Sequence, residues 1–295
     1  MTEQELFTVV GAKPQENDRP HREKRFADFP WVSAILLGFI LIGCLFAELW
    51  MTKDPPYLDL AHFNTAPNGE FLFGTDTLGR DIFSGIWYGG RISILIGVLA
   101  TAISTLIAIV YGSLSGIAPA RVDAVMMRFV EVFLSIPGML LILFLQAIFG
   151  EANILSLSVV IGVTGWGSIA KVVRTEVRQI RESEYVIAAK CMGGGFFYIL
   201  RRHLAPNFFS SIMFMIVMNI RGAIAAESTL SFIGMGLPIE VISWGSMLSL
   251  AENALLSGSW WIILIPGAFL VTLFLCVTNL GNYLRKKSAH KESNL

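Results

Sequence analysis

The sequence predicts an all-α protein that crosses a membrane six times, and three observations carry that prediction. Of its 295 residues, 54% are hydrophobic and 15% charged, with a mean hydropathy of +0.65. A soluble domain has roughly 45 to 50% apolar and about 25% charged residues. Six stretches stay apolar for about 20 residues, the length at which a helix crosses about 30 Å of hydrocarbon while satisfying its own backbone hydrogen bonds. Lysine and arginine also fall unevenly on the connections between those stretches. Together these exclude a water-soluble enzyme, and the spans leave too little chain for a separate globular ligand domain. The 22 basic residues balance 22 acidic ones, so no net field points to nucleic acid.

The first span is Trp31 to Trp50. Thirty residues precede it, so it reads as an uncleaved anchor, not a cleaved signal. A segment outside the cell, 51–90, follows. The remaining spans are Ile92 to Ile117, Phe129 to Phe149, Ile154 to Ala170, Phe208 to Ile233 and Trp260 to Leu280, the fourth being the shortest. With the leader (1–30) in the cytoplasm, that side holds 18 Lys and Arg, including Arg121, Arg128, the run from Lys171 to Arg202, and the tail 283–295. The outside holds three, Lys53, Arg80 and Arg91, so both termini are expected in the cytoplasm of a multi-pass protein of the cell membrane. Pro137 and Gly138 in the third span and Pro266 and Gly267 in the sixth permit bends, and Gly112 and Gly116 have the spacing for close helix approach. Cys44, Cys191 and Cys276 fit neither a disulfide framework nor a metal knuckle and read as free thiols.

The connection after the fourth span is too long for a simple turn. From Glu182 to Asn207 it reads ESEYVIAAKCMGGGFFYILRRHLAPN. Good helix formers with early acidic residues predict a short helix from Glu184 to Met192. Gly193, Gly194 and Gly195 stop it. A second short helix is expected from Phe196 to His203, ending in Arg201, Arg202 and His203, and Pro206 suits the first turn of the fifth span. The residues alone leave two readings open. One is an amphipathic hairpin lying on lipid with its arginines on headgroups. The other is a docking element for a soluble partner, in which the small Ala188 and Ala189 give close backbone approach.

No Gly-Lys dipeptide occurs, so the glycine run is not a phosphate loop and any ATP energy would have to come from another polypeptide. His21, His62, His203 and His290 are scattered, with no ligand spacing for a metal. Ionisable groups inside spans are costly and face a partner or a wet cavity; Glu131, Arg221 and Glu227 are the cases here. Six residues at about 100° each put Arg221 and Glu227 about 120° apart around a helix, so they need different partners. Asp81 is placed to cap a short helix, and Arg80 and Arg91 to anchor the outside segment.

Several motifs carry a resemblance. Ala188, Ala189 and Gly193, followed by Leu204, Ala205, Pro206 and Asn207, resemble the coupling loop of permease subunits of binding-protein-dependent ABC importers. Those families usually show Glu-Ala-Ala and Leu-Pro, where this chain has Ile187 and Ala205. GTDTLGRD at 74–81, YGGRIS at 88–93 and ESTLSFIGMG at 227–236 with Trp244 and Gly245 are similar to the dipeptide, oligopeptide and nickel subfamily. SIPG at 135–138 and MMR at 126–128 extend the likeness over about residues 71 to 282, and the order of features resembles its C-type subunit. The tail, NLGNYLR at 279–285, lacks that subunit's longer acidic ending.

The resemblance implies the type I ABC importer permease fold, with a cytoplasmic coupling helix. It implies a non-catalytic chain that binds no cofactor, ATP and Mg being bound by two partner ATP-binding subunits. The other partners it implies are a homologous second permease and an extracytoplasmic peptide-binding protein. Glu184, Tyr185, Ala188, Ala189, Gly193, Arg201, His203 and Pro206 would couple to the ATPase. Arg221, Glu227 and Trp244 would serve the gate or the subunit interface. Gly74, Asp76, Gly79, Arg80, Asp81 and Arg91 would shape the outer gate or the seat of the delivery protein. The cargo would be a short peptide or, within the same subfamily, nickel or a metal chelate. The rivals are a stand-alone ion-coupled secondary transporter, with Arg221 and Glu227 as coupling groups, and a structural anchor for an enzyme.

Overall fold

A computed structural model describes residues 29–250, 254 and 257–292 of the chain. Residues 1–28 of the leader and the last three residues of the tail lie outside the described residues, as do the side chains of His203 and Pro206. Within the described residues the chain is helical, with a single bridge between Thr75 and Asp81 as its only β pairing. Three helices are long and apolar enough to cross a bilayer, or five if each of two bent pairs forms one span.

Helix α1 (Trp31–Leu45) breaks at Phe46 and resumes as α2 (Ala47–Trp50). The break frees carbonyls at the end of α1, and Arg91 takes them: Nε donates to the Cys44 carbonyl at 3.2 Å and Nη2 to that of Leu45 at 2.9 Å. Helix α3 (Ile82–Ile117) starts ten residues before the apolar run at Ile92, because Asp81 caps it by accepting from the Ser84 N–H at 3.1 Å. Asp81 thus caps this long helix, not a separate short one.

The expected third span is two helices, α4 (Ala120–Ser135) and α5 (Gly138–Phe149), at 88° to one another. Pro137 explains the corner, since it supplies no N–H and excludes its predecessor from helical geometry. Glu131 lies on the exposed side of α4, paired with Arg128 at 3.1 Å, and is not a buried span charge. The fourth is likewise divided into α6 (Ile154–Thr164) and α7 (Gly167–Ile180), bent by 48°. Helix α7 runs ten residues past Ala170 because Ile169, Val173 and Val177 repeat at helical spacing and are all buried.

Helix α8 (Glu184–Cys191) ends at Gly193, whose φ of 83° is the left-handed value that reverses the chain. The expected second helix is divided: α9 (Phe196–Ile199) gives way to a π turn at Leu200–Leu204, which leads into α10 (Ala205–Phe232). After a loop comes α11 (Trp244–Leu248) and then α12 (Trp261–Glu292), which carries the helix through most of the expected tail.

Helix α3 is the axis of the packing, against α6, α7 and α10. Glycines bring these helices together: a Cβ on Gly97 would lie 2.5 Å from Ile224 of α10, and one on Gly112 would lie 2.6 Å from the Ala170 carbonyl of α7. One buried cluster joins α7, α8, α9 and the start of α10, and another joins α1, α3, α11 and α12.

Candidate functional site

The α8–α9 hairpin is seated in the core. Val186 is fully buried and Ala189 2% exposed, in one cluster with Val177, Leu204, Phe208 and Ile212. The opposite face of α8 carries Glu184, Tyr185 and Ala188, all exposed, and Met192 just past its end is 81% exposed. So the two adjacent alanines have opposite surroundings: Ala189 meets the bundle and Ala188 meets the outside. Phe197 and Tyr198 of α9 are exposed at 73% and 56%, and Arg201 is exposed beside them. Such a mixed aromatic and small-residue face suits a protein surface.

A second constellation forms around Glu227 on α10, which is fully buried. Four hydroxyls surround its carboxyl group. Oε1 accepts from Ser243 at 2.7 Å and Ser231 at 3.0 Å, and Oε2 from Ser93 at 3.0 Å and Ser228 at 3.3 Å. Three of these serines in turn accept a backbone N–H: Ser93 from Trp244, Ser231 from Leu237 and Ser243 from Ser246. The carboxyl is therefore the hub that joins α3, α10, the loop after it and the start of α11. Trp244 is fully buried beside it, its indole N–H donating to the Ile86 carbonyl at 2.8 Å, and Gly245 leaves no room for a Cβ against Ser228. Arg221 takes no part. It lies at the α12 side of α10, 6.0 Å from the ring of Phe274.

The segment before α3 is a compact turn built on its own polar groups. Asp76 Oδ1 accepts from the N–H groups of Leu78 and Arg80 at 2.8 and 2.9 Å. Gly79 has a φ of 75°, and a Cβ there would overlap the Asp59 carbonyl, so only glycine closes this turn. Burial pushes the Asp76 carboxyl above the usual carboxylate range, outweighing its two backbone donors. Two long contacts tie the turn down. Trp261, packed over Gly74, donates from its indole N–H to the Thr75 carbonyl at 3.1 Å, and Arg80 Nη1 donates to the Ile239 carbonyl at 2.9 Å. Arg80 thereby holds the middle of the loop 233–243, which ends at Trp244. Arg91 stands apart, with Nη1 on Glu48 at 3.1 Å.

One cluster escaped the sequence reading. Asp123 on α4 is 5% exposed and accepts from both Arg174, as a fork, and Arg178 of α7, the latter at 3.0 Å, and from Ser115 of α3 at 2.7 Å. Arg181 adds a bond to the Gly116 carbonyl at 3.1 Å. The signal was present as three arginines, 174, 178 and 181, at helical spacing on a helix whose other face is apolar.

Comparison with known proteins gives the family. The profile described as "Binding-protein-dependent transport system inner membrane component" matches residues 108–290. The dipeptide transport system permease protein DppC of Bacillus subtilis is 38% identical over 250 residues, covering 85% of this chain and 78% of that protein. The oligopeptide transport system permease protein OppC of the same organism is 33% identical over 243 residues, covering 82% and 79%. The OppC of Haemophilus influenzae is 33% identical over 255 residues, covering 86% and 81%. With a profile match over more than half its length and relatives aligned along most of it, the chain belongs to the family of binding-protein-dependent transport system inner membrane components.

Proposed function

We propose that this chain is one of two permease subunits of an ATP-driven importer of short peptides, contributing half of the translocation pathway. Its relatives named for dipeptide and oligopeptide transport support the cargo. In this reading the bent helix pairs each count as one span and α1 with α2 as another, giving six spans with both termini in the cytoplasm, as the placement of lysine and arginine favours. A homologous permease lies alongside, two ATP-binding subunits lie beneath the permease pair with one of them holding α8, and an extracytoplasmic binding protein delivers the peptide to the side of the 51–81 turn. The ATP and magnesium belong to the ATP-binding subunits.

The observation that carries the reading is the two-faced α8, anchored through Val186 and Ala189 and exposed through Glu184 and Ala188. Closure of the ATPases on nucleotide would push the open face. The anchored face would pass the displacement to α7 and α10, which share its cluster. Glu227 and its serines would hold the far end of α10 to the loop at 233–243, so that displacement at one end of α10 reaches the gate at the other.

The test is Ala188→Arg in the co-expressed complex, with Gly193→Trp as a second variant. Ala188 is exposed, so in the first variant the chain and its companion permease still purify together, whereas Gly193→Trp also strains the left-handed turn and is read only beside it. The expected result is loss of the ATP-binding subunits from the purified complex and loss of ATP-driven peptide uptake. Full retention of both in Ala188→Arg rejects the docking role, and uptake in vesicles by this chain alone without ATP rejects the importer.

A further inference from the structure

Two charged side chains meet where the outer turn touches the loop after α10, and each has a polar atom left over. Asp81 is 4% exposed, and its Oδ2 takes three bonds: from the Thr52 hydroxyl at 2.7 Å, the Ser84 hydroxyl at 2.5 Å and the Ser84 N–H at 3.1 Å. Its Oδ1 is buried and accepts from nothing among the described residues. Arg80 donates from Nη1 to the Ile239 carbonyl, while its Nε is buried and donates to nothing among them. Nε and Oδ1 therefore do not reach one another. Buried polar atoms without a partner are rare, and two of opposite hydrogen-bonding sense on adjacent residues call for a common explanation.

The space beside them supplies it. Asp76, Arg80, Asp81, Ile239, Ser246 and Met247 are among the residues that line a cavity of about 10 Å³. Counted over the positions that a water's centre can take, that is room for one water and for nothing larger. Charge decides what kind of group fits. The Arg80 guanidinium disfavours a cation here, and the Asp81 carboxylate disfavours an anion. What remains is a small neutral group that accepts from Nε and donates to Oδ1, and water does both.

We propose that one water molecule occupies this cavity, accepting from Arg80 Nε and donating to Asp81 Oδ1, and that it completes the joint between the outer turn and the loop 233–243. Asp76 and Ser246, which line the same cavity, offer its remaining bonds, in keeping with the about three that a buried water makes. The loop is then fastened to the turn by one direct bond, Arg80 to Ile239, and by one that passes through a solvent molecule. A bridging water is nearly as good enthalpically as a direct hydrogen bond. It also suits a joint that parts: as the loop lifts, bulk water takes over both bonds and neither charged group is stranded. The site is independent of what the importer carries.

The test is a density map of the complete importer in lipid nanodiscs, at a resolution that shows ordered water, recorded once in potassium acetate and once in thallium(I) acetate. The expected result is a single peak at hydrogen-bond distance from both Arg80 Nε and Asp81 Oδ1, of the same height in the two salts. A peak that strengthens in thallium assigns the cavity to a cation and overturns the proposal. An empty cavity, in a map that shows buried waters elsewhere in the complex, overturns it as well. So does a direct Arg80–Asp81 ion pair that closes the space.

Discussion

Replacing Gly112 with alanine tests whether α3 and α7 are held at a separation that only glycine allows. The added Cβ would lie 2.6 Å from the Ala170 carbonyl and 2.9 Å from the Val173 Cβ, where ordinary contact begins near 3.4 Å. Both obstacles belong to α7 itself or lie next to its backbone, so a rotamer change cannot relieve them. The helices must part by about 0.8 Å, the difference between 3.4 and 2.6 Å. A gap of that size forfeits about a quarter to a half of the dispersion energy of the facing atoms, and overpacking of this kind costs about 1–3 kcal/mol. Alanine offsets part of it, since it favours a helix interior over glycine by about 1 kcal/mol. The net expectation is a loss of about 0–2 kcal/mol. Gly38 in α1 is the control, because a Cβ there meets nothing within 4 Å. Gly38→Ala should gain about 0.5–1 kcal/mol. Equilibrium unfolding in mixed micelles should therefore separate the two alanines by the overpacking cost, about 1–3 kcal/mol, since both share the helix gain. If Gly112→Ala proves as stable as Gly38→Ala, the close-packing argument is wrong.

Two further outcomes are expected. Asp123→Ala removes the acceptor shared by Arg174, Arg178 and Ser115. The arginines are a quarter or more exposed and recover water, so the cost is about 2 kcal/mol rather than the 3–5 of a fully buried pair. It should appear as a lower melting temperature of the complex together with faster proteolysis near residues 171–183, and a change in neither refutes the clamp. Asp76 gives a pH dependence. Burial raises its folded-state pKa above the unfolded value, so its contribution to stability is full below the ordinary aspartate pKa and is lost as pH rises through the raised one. Asp59 and Glu70 nearby are shifted downwards by His62 and Lys53 respectively and act in the opposite sense. The difference between wild type and Asp76→Asn isolates the first effect, because an asparagine oxygen still accepts from Leu78 and Arg80. The variant should melt higher at pH 7, and its advantage should shrink on acidification; an advantage that grows on acidification refutes the sign.

The membrane character of the chain was legible because lipid leaves no other solution for the backbone, and hydropathy records that constraint directly. Helix limits were less so. The extension of α7 to Ile180 buries Val173 and Val177 beneath a charged outer face, and an average over a window reports such a stretch as polar. The corner at Pro137 was foreseen as a bend, but its 88° follows from how α4 packs across α3 and α7, which no local signal encodes. The α8 turn was readable from three glycines, whereas the opposite surroundings of Ala188 and Ala189 depend on what lies above them. Arg221 and Glu227 fall apart as helical arithmetic requires. The serines that serve Glu227 stand at 93, 228, 231 and 243, and residues 150 apart with no periodicity cannot be grouped before the chain is folded.

The burial of α8 against α7 and the beginning of α10 sets the character of any motion that passes through it. A close-packed interior has little compliance, so it yields as a block and not by bending. Force applied to such a foot is not spent in stretching a tether. Under the proposed coupling, the stroke delivered to the two helices above should nearly equal the stroke received, and a softer residue at Val186 or Ala189 would lower the cargo moved per ATP before it blocked passage.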